Sequence, residues 1–98
     1  LLTEKEKILW QRLSVFNDGW TMNSAEEICS DEILSKNDIP DLLIHLADKS
    51  IIIYEDLKDR FRMLETIKQY GSVKLNENND EAGIHLKLIN YFKSIYSK

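Results

Sequence analysis

Ninety-eight residues, 43% of them apolar and 31% charged, are enough for one hydrophobic core and too few for two. Three Gly and one Pro match a folded, helix-rich chain and exclude collagenous and disordered compositions. A formal net charge of −4, with acids spread along the whole length, excludes the global positive field that concentrates nucleic acid or anionic lipid.

Thr3 stands three residues before Glu6, the spacing at which a hydroxyl and a returning carboxylate cap two orphan amides. Ile8, Leu9, Leu13 and Phe16 follow at helical intervals, which predicts a first helix over about residues 4–16. Asn17-Asp18-Gly19 breaks it with turn formers, one of them able to take positive φ, and Trp20-Thr21-Met22 reads as a short extended piece. Asn23 or Ser24 is expected to cap a short second helix that turns Ala25, Ile28 and Cys29 inward. From Ser30 to Asn37 only Ile33 and Leu34 are apolar, without a period, and the stretch reads mostly as loop. Asp38 before Ile39-Pro40 restarts the chain as a third helix, because Pro is tolerated in a first turn. That helix buries Ile39, Leu42, Leu43 and Leu46.

Ser50 to Tyr54 is a β-branched run, and Asp56-Leu57-Lys58-Asp59 separates it from Arg60-Phe61-Arg62-Met63, where apolar and basic residues alternate. The pair predicts a β-hairpin. Leu64, Ile67, Tyr70 and the stretch Val73 to Leu75 restore a helical period, which stops in the polar cluster Asn76 to Asp80. A last amphipathic helix is predicted from Glu81 to Tyr96, with Ile84, Leu88, Tyr91, Phe92 and Ile95 on one face. The expected fold is mainly α with a small β-hairpin: a winged helix-turn-helix followed by two C-terminal helices. The one plausible boundary is the polar cluster, which divides a winged-helix domain over 1–78 from a helix over 79–98.

Catalytic chemistry needs converging groups, and the inventory is thin. His45 and His85 fall on different helices, and no C-x-x-C, H-E-x-x-H or calcium-type acidic loop is present, so neither an enzyme nor a metal centre is expected. Without a G-x-x-x-x-G-K-[ST] the chain has no phosphate loop of its own, and no cofactor is expected in it. No apolar run approaches the roughly 20 residues that cross a bilayer. The single Cys29 cannot form an internal disulfide, so a cytoplasmic chain with no membrane partner is expected. A winged helix commonly sets its third helix in a DNA groove. Here Asp38, Asp41 and Asp48 outnumber Lys49 on that helix, and the wing tip is acidic, which disfavours DNA. Arg60, Arg62 and Lys68, with Lys74, form a modest basic stripe and are the candidate nucleic-acid contacts.

Four segments carry a specific likeness. Leu13 to Thr21 reads L-S-V-F-N-D-G-W-T, Ala25 to Cys29 reads A-E-E-I-C, Leu43 to Ile52 reads L-I-H-L-A-D-K-S-I-I, and Arg60 to Tyr70 reads R-F-R-M-L-E-T-I-K-Q-Y. In this order they resemble the winged-helix domain of bacterial STAND signalling ATPases, regulators in which an NB-ARC-like nucleotide-binding module precedes a helical-repeat sensor. The resemblance implies a non-catalytic switch module whose partners are the nucleotide-binding and helical-repeat domains of its own parent, with ATP or ADP held on an upstream domain. His85 and Tyr91-Phe92 are similar to the helix that leads into tetratricopeptide-like repeats, which gives 79–98 its expected role. Met63-Leu64-Glu65 stands where related ATPases carry Met-His-Asp, and an aliphatic Leu64 has neither proton nor lone pair to offer a phosphate. Lys49 and Ser50, at the turn into the hairpin, join Met63, Leu64 and Glu65 as candidate domain-interface or switch residues. The alternative function is a DNA-binding winged helix-turn-helix of a transcriptional regulator.

Overall fold

The computed structural model describes residues 2–96; the ends of the two expected spans, residues 1, 97 and 98, lie outside the described residues. Helix α1 covers Glu4–Leu13. Its capping box forms as the spacing predicts: the Glu6 amide donates to Thr3 Oγ1 at 3.2 Å and the Thr3 amide to Glu6 Oε1 at 3.0 Å. The helix stops at Leu13, short of Phe16. The amides of Ser14, Val15 and Phe16 reach back three residues, to the carbonyls of Gln11, Arg12 and Leu13. This tighter turn still buries Val15 and Phe16, so apolar spacing alone could not separate it from helix.

Gly19 takes φ +96°, and a Cβ there would lie 2.3 Å from the Phe61 carbonyl oxygen, so this turn requires glycine twice over. The close approach brings Trp20 onto the hairpin, where the Trp20 and Phe61 backbones exchange hydrogen bonds of 2.9 and 2.7 Å. Helix α2 runs Met22–Cys29 and is capped by Thr21 rather than by Asn23 or Ser24. Ser24 instead fills the third helical position of a second reciprocal cap: its amide donates to Thr21 Oγ1 at 3.1 Å and its Oγ accepts from the Thr21 amide at 2.9 Å. A 3-10 turn over Lys36–Asp38 closes the expected loop, within which Leu34 is wholly buried. Helix α3 covers Ile39–Asp48, with Pro40 in its first turn.

Strands β1 (Ile53–Glu55) and β2 (Arg60–Arg62) pair antiparallel, with Tyr54 opposite Phe61, and a 3-10 turn over Asp56–Lys58 forms the tip. The hairpin is shorter than the β-branched run from Ser50 suggests, because Ser50 belongs to the end of α3. It takes φ +63°; its amide bonds to the Ala47 carbonyl and the Ile51 amide to the Leu46 carbonyl, each at 3.0 Å. That is a Schellman ending, with Ile51 placed to pack beside Leu46. Helix α4 runs Glu65–Glu77 and closes the same way on Asn79 (φ +59°), after which α5 covers Glu81–Tyr96.

The core lies among α1, α2 and α3, where Leu9, Ile28, Leu34, Ile39, Leu43 and Leu46 are fully buried. Helix α4 crosses α1 at Gly71, whose hypothetical Cβ would sit 2.2 Å from Ser14 Oγ and 3.1 Å from Trp10 Nε1. The α5 face divides: Ile84 is buried against α2, Leu88 and Tyr91 are half-buried, and Phe92 and Ile95 are 41% and 45% exposed. Tyr70 is likewise exposed, although its ring stacks on Trp10 with centroids 5.5 Å apart. Arg12 ties the layers together. Nearly buried, it donates to the Cys29 carbonyl at 3.0 Å and pairs with Asp31 and Asp80, both at 2.9 Å. One side chain thereby joins α1, the segment after α2 and the turn between α4 and α5.

Candidate interaction surface

Lys49 and Ser50 both have internal duties. Lys49 Nζ lies 2.6 Å from Oε1 of Glu6, whose other oxygen is 3.4 Å from His45 Nδ1. The bond from Lys49 and the Thr3 amide hold the Glu6 carboxyl below its ordinary value, against the opposing effect of burial. Ser50 supplies the left-handed residue that ends α3, so the Lys-Ser pair is a helix terminus locked onto α1.

Met63 packs half-buried against the core, while Leu64 is 50% exposed and caps α4 without a side-chain bond. Glu65 occupies the first turn of α4, where a carboxylate complements the helix dipole, and accepts from Gln69 Nε2 at 3.4 Å. Arg62 pairs with Glu55 at 3.3 Å. Arg62, Met63 and Lys68 come together around a cavity of about 160 Å³ whose far wall is Asn17, Asp18 and Gly19. Lys68 Nζ donates to the Asn17 carbonyl at 3.5 Å, and Arg60 borders the same turn from the α5 side. The basic candidates therefore line the rim of one turn, Arg62 and Lys68 on one side and Arg60 on the other.

That rim is on the reverse of the wing. Side chains alternate along a strand, so Arg60 and Arg62 point away from the face that carries Phe61. Phe61 and its partner Tyr54 face α3 instead, and with Met22, Ile44 and Ala47 they line an open groove of about 300 Å³ bounded by Asp48 and Asp59. Ile44 is 55% exposed there and Tyr54 is 43% exposed. Tyr54 Oη donates to Asp59 Oδ1 at 2.6 Å, an interaction that raises the phenol above its ordinary value. Sequence reasoning missed this groove. The available signal was Ile44, an aliphatic residue outside the inward set Ile39, Leu42, Leu43 and Leu46.

His45 and His85 each meet a glutamate, on α1 and within α5 respectively, and are not brought together. Cys29 is fully buried, and burial pushes its thiol up to about 12, which leaves it unreactive. Among the described residues no group of His, Cys, Asp and Glu is placed to hold a metal ion, and no helix is long and apolar enough to cross a membrane.

No protein-family model matches the chain, and no solved structure does. Over 97 residues, 97% of its length, it is 32% identical to proteins of Mycobacterium tuberculosis and Mycobacterium bovis provisionally named HTH-type transcriptional regulators. It is also 29% identical over 83 residues, 82% of this chain and 21% of the other, to an uncharacterized protein of Mycobacterium bovis. The chain spans about a tenth of the regulators it matches, 11% of their length. A winged helix, with a β-hairpin and five α-helices among the described residues, is thus what this chain adds to its likeness to one segment of long proteins named for helix-turn-helix regulation.

Proposed function

We propose that this chain is a non-catalytic regulatory module of a much larger cytoplasmic transcriptional regulator, and that it works through protein contacts rather than by reading DNA with α3. The observation that carries the reading is the character of the α3 surface. Its solvent side presents Asp41, Ile44, His45 and Asp48; its one lysine, Lys49, is held by Glu6; and the wing arginines face the other way. A helix entering a groove must approach phosphates with cations and offer donors to base edges. The names and length of the relatives support a place inside a large regulator. The STAND resemblance refines that place to a switch between an upstream nucleotide-binding module and downstream helical repeats, with residues 79–98 leading into the repeats and Met63, Leu64 and Glu65 at the junction. A parent reading frame with no phosphate-binding loop motif upstream of this segment would remove the ATPase part of the proposal.

The second reading, DNA binding, is favoured by the relatives' names and by the gathering of Arg60, Arg62 and Lys68 on one rim. Fluorescence anisotropy with duplex DNA at about 20 mM and about 150 mM salt separates the two, because phosphate contacts produce a steep salt dependence. The protein-contact reading expects no binding at either salt. Binding at low salt that is lost in an Arg60→Ala, Arg62→Ala, Lys68→Ala triple variant would establish the second reading in its place.

A further inference from the structure

The groove between α3 and the wing is apolar where a DNA-facing surface would be polar and cationic. Met22, Ile44, Ala47, Tyr54 and Phe61 form its floor and walls, and its volume of about 300 Å³ holds one or two large side chains. Its rim is acidic. Asp48 and Asp59 border it, and Asp41 and Asp56 stand exposed on the same two elements. None of these four carboxylates forms an ion pair among the described residues. Leu57 is fully exposed at the tip of the wing. An apolar slot bordered by Asp48 and by Asp59, which accepts the Tyr54 hydroxyl but meets no cation, is complementary to a segment with aliphatic or aromatic anchors flanked by Lys or Arg.

We infer that the groove between α3 and the wing docks a basic protein segment, one that inserts apolar side chains between Ile44 and Tyr54 and sets cations against Asp48 and Asp59. The inference rests on the reading that this face meets protein rather than DNA. The anchors gain by leaving water in a slot that is already formed, while the acids set orientation and reject acidic segments.

The probe is an 18-residue helical peptide of Leu and Lys with its leucines on one face, titrated into the isotope-labelled chain by two-dimensional NMR. Two controls replace every Lys by Glu, or every Leu by Ala. The expected result is saturable shifts centred on Ile44, Ala47, Asp48, Tyr54 and Phe61 with the Leu/Lys peptide, and none there with either control. Asp48→Asn with Asp59→Asn is expected to weaken binding about three- to ten-fold, in keeping with two screened charge pairs. Ala47→Phe, which fills the slot, is expected to weaken it about ten-fold or more. Unchanged shifts at Leu9 and Leu43 certify that each variant is folded, and Ile44→Ser provides a milder test at an exposed position. Equal binding of the Leu/Glu peptide, shifts centred on the outer α5 residues Leu86 and Ile89, or no binding would each overturn the inference. Duplex DNA titrated separately tests the underlying reading: shifts along α3 with DNA would sink that reading, whereas peptide failure without DNA binding sinks the inference alone.

Discussion

Replacing Arg12 by Met keeps most of the buried stem and removes the cation, so it isolates what the guanidinium does. Three charge-assisted bonds are lost, to Asp31, Asp80 and the Cys29 carbonyl. Removing one partner of a fully buried ion pair costs about 3–5 kcal/mol, largely through the unpaired charge left behind. Here the two carboxylates are 33% and 35% exposed and can recover part of their hydration. The expected loss is therefore about 2–4 kcal/mol, or roughly 10–25 °C in Tm for a domain of this size. Urea unfolding followed by far-ultraviolet circular dichroism and by Trp10 and Trp20 fluorescence measures it. Double-mutant cycles with Asp31→Asn and Asp80→Asn then apportion it. If Arg12→Met cost less than about 0.5 kcal/mol, or if its effect simply added to those of the Asp variants, the clamp would not be holding the helices together.

Three further perturbations test local arguments. Partial burial pushes the Asp31 carboxyl up, but the Arg12 guanidinium and the Leu34 and Ile33 amides outweigh it and hold the group at about 2, down from 3.8. A depressed carboxylate stabilises the fold above its unfolded value and loses that contribution as pH falls through the folded value. About 1–2 kcal/mol, discounted for solvent screening, should therefore disappear between pH 4 and pH 2, and urea midpoints of Asp31→Asn should lack that part of the slope. Ser50→Gly relieves a left-handed serine at the end of α3 and should stabilise by about 0.5–1 kcal/mol; a loss of stability would mean that the hydroxyl has a duty the Schellman ending does not explain. Gly71→Ala drives a methyl group into Ser14 Oγ and the Trp10 indole, and thermal unfolding should show a loss of about 1–3 kcal/mol, despite the better helix propensity of alanine.

Most of the secondary structure follows from local rules, and local rules are written in the sequence. Thr3 and Glu6 cap α1 where their spacing places them, Pro40 sits in the first turn of α3, and Asn17-Asp18-Gly19 makes its turn with glycine at positive φ. The errors lie where two local solutions compete. Thr21 rather than Asn23 or Ser24 caps α2, because Ser24 can close the reciprocal bond from the third position. Ser50 ends a helix instead of starting a strand, because the orphan carbonyls of α3 must be satisfied first. Mainly helical content, a hairpin after three helices and an acidic third helix could all be derived from residue order. Which residues meet could not, because the partners are far apart in the chain: Glu6 and Lys49 are separated by 43 positions and Arg12 and Asp80 by 68. Charge could be read from the sequence for Arg60, Arg62 and Lys68, yet only tertiary packing decided that Phe61 turns toward α3 and sends the arginines to the reverse of the wing. The same packing leaves Ile44 and Tyr54 in the open beside Asp48, since burial depends on what the rest of the chain brings to a face and not on the residue itself.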